Sequence, residues 1–342
     1  RCLQELQDCK RSLTELGLEM PSWAALADGA QPPATDGSPQ GWQQFVSSFT
    51  SNASRTRLLQ TSARPIRALV RSPSGPRSSY VLQTAPTRPE YTFTPEQFQV
   101  YLRRRLRWPL PFADSRCSCG ATLDEHGDHL SACMRSGRVK LRASPLEIAV
   151  AQICREAGGR VKTNVRLCGL HTSVGRCDQR SIEVIVSGIP VHGGNQMAVD
   201  VTMRSALTRD GAPRANADWK DGVAAETARA DKEASYPELV RGTRCRLVVL
   251  ALEVGGRWSE ETGEFLRQLS GAKAQSVPEF ARKKAALAFR LRWSRFLSMT
   301  AAKAFVDSLL LSDGERFVEA PAASRPPWLP DILADIASGA PL

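Results

Sequence analysis

Three cysteines and two histidines lie close together in the segment CSCGATLDEHGDHLSAC, as Cys117, Cys119, His126, His129 and Cys133. A tetrahedral zinc site needs four sulfur or nitrogen ligands that a tight turn brings together. Two thiolates from one turn, followed by a histidine and a cysteine four residues apart on one helical face, would meet that need. The Cys-x-Cys spacing is shorter than is usual in zinc fingers, and the alternative is a reduced loop without a metal. Because the other cysteines are scattered and no secretory signal is present, we expect metal binding rather than disulfides.

Two acidic residues lie within consecutive predicted strands, Glu183 in RSIEVIV and Asp200 in QMAVDVTM. A carboxylate flanked by apolar residues inside a strand is costly unless it is paired or bound to a metal. Carboxylate oxygens suit Mg²⁺, and a metal held there could activate water for hydrolysis. Lys232 and Tyr236, one helical turn apart, could add a positive charge beside it. We expect both acids to project from the same face of adjacent strands; the alternative is that alternation places one or both on a solvated face.

Four arginines cluster at the end of one predicted helix, 94–107, and we expect Arg103, Arg104, Arg105 and Arg107 to contact phosphates. The formal net charge of +11 favours a polyanionic partner, nucleic acid first and an anionic membrane second. The alternatives are a solvated helix face and an ordinary basic soluble protein. The sequence has no apolar run of the roughly 18 residues that a membrane span requires, so we expect none.

The elements that would position these residues follow the order α-β-β-β-α-β. Apolar periodicity and strand alternation predict a helix at 145–158, followed by strands at 161–167, 180–186 and 196–203. A helix at 217–235, a strand at 245–254 and a further helix at 259–269 come next. This order is typical of an α/β domain with a mixed sheet. A basic helix is predicted over 279–311, with Phe289, Trp293, Phe296 and Thr300 on one stripe.

The two ends of the chain differ from this middle part. Residues 3–16 carry leucines on one helical stripe, and residues 28–90 are rich in Pro, Gly, Ser and Thr. We therefore predict a short N-terminal helix (1–27), a stretch that is mostly linker (28–93) and a basic helix with the zinc knuckle (94–141). An α/β domain (142–271), a C-terminal basic helix (278–312) and a Pro-rich tail (313–342) follow. Since the chain starts at Arg1, we expect it to be a piece of a longer product, with the first helix belonging to an upstream region.

The segment YLRRRLRWPLPFADSRCSCGATLDEHGDHLSAC resembles the junction in certain non-LTR retrotransposon-derived proteins. There, an Arg-Leu-x-x-Pro-Leu-Pro segment leads into a Cys-x-Cys-Gly…Gly-Asp-His…Cys knuckle, and a restriction-like endonuclease domain of the PD-(D/E)XK class follows. The resemblance covers roughly residues 78–270 and includes AVDVT around Asp200 and the strand before Gly255-Gly256. It implies a small zinc-knuckle module followed by a restriction-endonuclease-like α-β-β-β-α-β domain with a mixed sheet, with helical ends and a disordered N-terminal linker.

The resemblance also implies a role for each candidate residue. The zinc ligands that it implies are Cys117, Cys119, His129 and Cys133. The catalytic residues that it implies are Glu183, Asp200, Lys232 and Tyr236. His126 would lie outside the zinc site. The two acids would bind Mg²⁺ or Mn²⁺, and the lysine would replace the positive charge that the class usually places at the position of Thr202.

The activity implied is nicking of target DNA by metal-dependent phosphodiester hydrolysis, with structural Zn²⁺ and catalytic Mg²⁺ or Mn²⁺. DNA would be the partner, element RNA a second candidate partner, and the location nuclear, beside an upstream reverse-transcriptase region where one exists. Two departures from the family pattern, Arg-Ser-Ile-Glu at 180–183 and Ala143 after Arg142, leave a second interpretation open: a nucleic-acid-binding module on a decayed nuclease fold. A third is a structural zinc domain in an unrelated cytoplasmic protein. Convergence of the two acids in space would favour the enzyme, and divergence the binding module.

Overall fold

One mixed four-stranded sheet, with its strands in the order β1-β2-β3-β4, lies in the C-terminal unit of the chain. The computed structural model describes residues 2–33, 41–110, 116–170, 174–175 and 177–310. The strands are β1 (Arg160–Arg166), β2 (Ser181–Ser187), β3 (Gln196–Arg204) and β4 (Cys245–Glu253). β1, β2 and β3 pair antiparallel, and β3 pairs with β4 in parallel. The mixed sheet predicted from the order of elements is therefore confirmed.

Helices belong to both units of the chain. The unit of residues 1–63 holds α1 (Cys2–Glu15), α2 (Trp23–Ala27) and α3 (Trp42–Thr61). The unit that begins at Arg64 holds α4 (Arg64–Arg71), α5 (Tyr80–Gln83), α6 (Pro95–Leu106), α7 (Asp128–Ala132), α8 (Arg138–Leu141), α9 (Ala143–Glu156), α10 (Val223–Ser235), α11 (Pro237–Val240), α12 (Glu260–Ala274) and α13 (Arg282–Leu310). Strand alternation buries both faces of the sheet. One face, with Val184 and Val199, packs against α9, α12 and α13, and the other, with Ile185 and Ala198, packs against α10 and α11.

The C-terminal helix α13, predicted as a basic helix over 279–311, is a core element. Trp293 is fully buried, and Phe289 stacks on it with ring centroids 5.5 Å apart. Arg292 and the Trp293 indole donate to the Glu156 carboxylate of α9, at 3.0 and 2.7 Å. A buried cation needs such a partner. The basic residues of α13 therefore do not form one exposed basic face along the whole helix. No described helix is both long enough and apolar enough to cross a membrane.

The interpretation of residues 28–93 as mostly linker is corrected, because this stretch includes α3, α4 and α5. α4 is held by ion pairs to the loop after β3: Arg64 lies 2.9 Å from Asp218, and Arg71 lies 2.8 Å from Asp221. Asp218 follows Arg64 by 154 residues, so local composition gave no sign of this contact. α3 has no buried residue, which explains why apolar periodicity did not reveal it. The predicted Pro-rich tail, 313–342, lies outside the described residues.

The predicted basic helix is α6, and its ends match the sequence signals. The Thr94 hydroxyl accepts from the Gln97 N–H at 3.2 Å, and the Gln97 side chain accepts from the Thr94 N–H at 2.9 Å, which forms a capping box. The helix ends at Arg107, which has a left-handed φ of 55°. This geometry fixes the direction in which the arginine-rich turn approaches the cysteine and histidine segment.

Candidate functional site

The two predicted metal-binding acids lie where β2 and β3 separate. Pairing between these strands ends at Val184 and Val199, and continuing the register by one residue sets Glu183 opposite Asp200. Glu183 Oε2 accepts a hydrogen bond from the backbone N–H of Val201 at 2.7 Å. The carboxylate thus takes the place of a strand partner, and both acids lie where the pairing of β2 with β3 ends.

Lys232 of α10 lies close to both acids. Its Nζ lies 2.7 Å from Asp200 Oδ1, 2.9 Å from Oδ2 and 3.9 Å from Glu183 Oε1. Asp200 is fully buried, and the side chains of Glu183 and Lys232 are 19% and 27% exposed. The ammonium therefore contacts both oxygens of the Asp200 carboxylate and donates a hydrogen bond to Oδ2. We call Glu183, Asp200 and Lys232 the acid cleft.

The electrostatics of the acid cleft are those of two carboxylates that share one ammonium. Burial, and then the charge of Asp200, raises the pKa of Glu183 to about 8. Burial also raises the pKa of Asp200, although the charge of Lys232 opposes the shift. For Lys232, burial is the largest single effect and acts to lower the pKa, but the combined attraction of Asp200 and Glu183 raises the pKa of the ammonium overall. Near neutral pH the raised pKa keeps Glu183 largely protonated, so a cation bound beside the two acids would displace that proton.

Tyr236 and Arg180 hold the C-terminal end of α10 against the start of β2. The Tyr236 hydroxyl donates to the Ser181 carbonyl at 3.0 Å. Arg180 donates to the Ser235 carbonyl and pairs with Asp178 at 2.6 Å and with a carboxylate of α11. These contacts fix the helical turn that carries Lys232. Tyr236 also lies beside Asp200, and its hydroxyl helps to oppose the rise in the pKa of that acid. Burial, and then the charge of Asp200, raises the pKa of Tyr236 itself.

Glu147 of α9 is a third carboxylate near the acid cleft that the sequence interpretation missed. Burial, and then the charge of Asp200, raises the pKa of Glu147, while the charge of Lys232 opposes the shift. The residue is half-buried and follows the fully buried Leu146. An acid within the apolar run PLEIAVAQ was the signal that could have identified it.

The cysteine and histidine segment forms one compact cluster that could hold a metal ion. One ligand atom from each of Cys117, Cys119, His129 and Cys133 lies within 4.8 Å of the others. His126 is outside the cluster, and its ring lies 3.3 Å from Glu125. The cluster has the same four residues that the family resemblance implied. We call it the Cys3His cluster.

Hydrogen bonds of the surrounding loop set the ligands in place. The Asp124 carboxylate accepts from the backbone N–H groups of His126, Asp128 and His129, at 3.0, 2.9 and 2.8 Å. His129 Nδ1 lies 2.8 Å from the Arg209 carbonyl, which directs Nε2 towards a thiol 3.2 Å away, that of Cys119. A backbone hydrogen bond from Ala121 is the largest of the effects that lower the pKa of Cys119 to about 7, which favours the thiolate form that binds metals.

The four arginines at the end of α6 have two kinds of contact: some pair with the loop of the Cys3His cluster, and the others contact neutral oxygens. Arg104 and Arg107 lie 2.6 and 2.9 Å from Asp128 Oδ1, and the Arg104 side chain is 7% exposed. Arg103 donates to the Pro109 carbonyl at 2.7 Å, and Arg105 contacts a tyrosine hydroxyl. Arg104 thus holds α6 against the loop of the Cys3His cluster. Phosphate contact by these four arginines stays a prediction.

Neither models of known protein families nor curated proteins give a match for this sequence. A function is therefore inferred from the two clusters themselves. The acid cleft brings together the two predicted metal-binding acids and the predicted lysine, and the Cys3His cluster brings together the four predicted thiol and imidazole ligands.

Proposed function

We propose that this chain is a metal-dependent DNA endonuclease, in which a zinc knuckle precedes a restriction-like nuclease domain that nicks DNA by phosphodiester hydrolysis. The observation that carries the proposal is the convergence of Glu183, Asp200 and Lys232 at the point where β2 and β3 separate. The α-β-β-β-α-β order of α9, β1, β2, β3, α10 and β4 is the order expected for such a domain. A nuclear location and an upstream reverse-transcriptase region stay predictions.

The donor set of the acid cleft suits a hard divalent cation. Asp200 Oδ1 is buried 2.7 Å from the Lys232 ammonium, and Glu183 Oε1 is the oxygen that the Val201 N–H does not bind. Mg²⁺ prefers carboxylate oxygens and keeps several waters, so two acids and a half-buried third, Glu147, are an adequate set. Once bound, Mg²⁺ or Mn²⁺ would activate a water and stabilise the charge that develops at phosphorus.

The side chains of the cleft would contribute positioning and charge. Glu183 cannot swing away, because its Oε2 is bound to the backbone of β3. Lys232 provides a positive charge within reach of a phosphate oxygen that enters the cleft, and α10 holds that charge in place through the contact of Tyr236 with Ser181. Preorganised charge of this kind stabilises a transition state without a reorganisation of the site.

The Cys3His cluster fits Zn²⁺ better than a hard cation, because its donors are three sulfurs and one imidazole nitrogen. Four protein ligands leave no open coordination position, which is typical of a structural zinc site. The residue next to His129, Asp128, is the partner of Arg104. Zinc would therefore hold the loop that anchors α6, and its role would be structural.

Nicking of a supercoiled plasmid by zinc-loaded protein with Mg²⁺ or Mn²⁺ tests the proposal. Wild-type protein should convert the plasmid to the open circle, and Asp200→Asn should abolish this while DNA affinity stays equal or rises slightly, because a repulsive charge is removed. Asp231→Asn, which changes an exposed acid of the same helix as Lys232, should keep the activity. No nicking by the wild type, or full nicking by Asp200→Asn, would contradict the proposal.

A nucleic-acid-binding module on a decayed nuclease fold is the second candidate function. The observation that favours it is the contact of Lys232 with both oxygens of Asp200, which neutralises the carboxylate without a metal. This candidate predicts salt-dependent binding of DNA and no nicking under any supply of divalent cations.

A further inference from the structure

A cavity of about 200 Å³ lies between α4, α6, α13 and the end of β4, apart from the acid cleft. Ile66, Leu69 and Val70 of α4 form one wall, and the rings of Tyr101 and Phe305 form another. The lining is mainly apolar, and the cavity is partly open to solvent. Pockets for drug-sized ligands occupy about 300–1,000 Å³, so this one suits a single ring system.

Arginines border the cavity and lie against its aromatic rings. The guanidinium carbon of Arg104 lies 5.7 Å from the centroid of Phe305, and that of Arg105 lies 5.8 Å from the centroid of Tyr101. Arg107 also lines the cavity. Planar guanidinium groups over rings create flat surfaces on which a further planar group can stack.

The charge at this border is positive. Arg104 and Arg107 share one carboxylate, that of Asp128. The contacts of Arg105 are with neutral oxygens, the Tyr101 hydroxyl at 3.2 Å and the Gly255 carbonyl at 3.4 Å. A flat apolar group attached to an anion is therefore the ligand that this cavity complements in shape and charge.

We propose that the cavity receives one unstacked nucleobase, with the phosphate of the same nucleotide at Arg105. The inference rests on the nucleic-acid partner of the proposed function and adds a site that the nicking chemistry does not require. Every base has a π face, so stacking on arginine and aromatic groups tolerates any sequence. Taking a base out of a duplex is unfavourable, least so where the base is unpaired. The protein should therefore prefer DNA with an unpaired nucleotide.

The test compares three duplexes: one with a single-nucleotide bulge, one with an abasic residue at the bulge, and one fully paired. Binding is measured on zinc-loaded Asp200→Asn protein without Mg²⁺, so that nicking cannot interfere. We expect about tenfold tighter binding of the bulge that carries a base than of the abasic bulge, which corresponds to about 1.4 kcal/mol. The fluorescence of 2-aminopurine at the bulge should change on binding.

Filling the cavity should remove this preference. Ile66→Trp in the same background should bring the affinity ratio of the two bulges close to one and leave the affinity for paired duplex unchanged. Leu82→Trp adds the same ring at an exposed site of α5 and should keep the ratio. Val70→Phe fills the cavity from another position if Ile66→Trp does not fold, as judged by zinc content and circular dichroism.

Three outcomes would overturn the proposal: equal affinity for the two bulges, a preference that survives both filling variants, or no binding of any DNA. The first two leave binding of paired duplex, and therefore the proposed function, untouched. The third would contradict the proposed function as well. If wild-type protein does not nick the plasmid but the preference for the bulge that carries a base is intact, only the proposed nuclease activity is contradicted.

Discussion

Replacing Lys232 with methionine tests whether the acid cleft depends on its ammonium. Methionine keeps a long, unbranched side chain on α10 but has no charge. Asp200, which is fully buried, and the mostly buried Glu183 would then face each other without a counter-charge. We expect Lys232→Met to lower the free energy of unfolding, because a buried carboxylate without a partner is unfavourable.

The magnitude follows from the contact distances. Nζ lies 2.7 and 2.9 Å from the two oxygens of Asp200. At an effective dielectric constant of about 20, two unit charges roughly 3 Å apart attract each other by about 5–6 kcal/mol. Methionine avoids the desolvation of an ammonium, and the lysine side chain is 27% exposed, so water can reach the altered site. Removal of one partner of a buried pair typically costs about 3–5 kcal/mol, and for this partly exposed one we expect about 2–4 kcal/mol.

Urea unfolding of zinc-loaded protein without added Mg²⁺ measures the effect. Lys220→Met is the matched control: its ammonium lies 2.6 Å from Glu226, but both side chains are about half exposed, and we expect a loss of about 0–1 kcal/mol. The double variant Lys232→Met with Asp200→Asn should be more stable than the sum of the two single effects predicts. Mg²⁺ should stabilise Lys232→Met more than wild type. A loss of stability for Lys232→Met no larger than that of the control, or additive single effects, would show that Lys232 does not neutralise the buried acids.

Two further predictions concern the Cys3His cluster and a buried acid of β4. The 342-residue chain should bind one equivalent of zinc with zinc–sulfur distances of roughly 2.3 Å by X-ray absorption; Cys133→Ala should reduce zinc below half an equivalent, whereas Cys154→Ala, at a buried thiol outside the cluster, should not. Burial raises the pKa of Glu253, whose carboxylate accepts the Ala224 N–H at 3.2 Å. The folded state then binds more protons than the unfolded state, so stability falls as the pH rises above about 4.3. Glu253→Gln should remove this part of the pH dependence of stability, measured by urea unfolding. An unchanged slope of stability against pH would contradict the assignment.

The sheet could be predicted from the sequence because its signals are local. Each strand alternates or is continuously apolar, as in CRLVVLALEV for β4, and turns or glycines bound it. The start of α6 could also be predicted, since Thr94 is a typical N-cap and Pro95 suits the first turn of a helix. The four residues of the Cys3His cluster lie within one short segment, so their spacing already limited how they could meet.

Contacts between distant segments could not be predicted in the same way. The four arginines of the predicted helix 94–107 were interpreted as phosphate contacts because the sequence shows charge but not its partner. In the structure Arg64 binds Asp218, and Arg104 binds Asp128 of the Cys3His module. Glu147 was missed for a related reason: the helix that carries it is apolar, and only the fold brings that helix within reach of Asp200.

The length of the Glu183 side chain bears on the proposed activity. In the family that the sequence resembles an aspartate is usual at the first acid, and here the longer glutamate carboxylate accepts from the Val201 N–H across the gap between β2 and β3. An aspartate at this position would be shorter, and we expect it to leave that N–H without its partner. One oxygen of Glu183 is therefore committed to the sheet, and the other faces Lys232 at 3.9 Å. Glu183 thus satisfies a backbone N–H at the end of the β2–β3 ladder and presents a single oxygen to the acid cleft. A glutamate at this position is therefore compatible with the proposed metal binding.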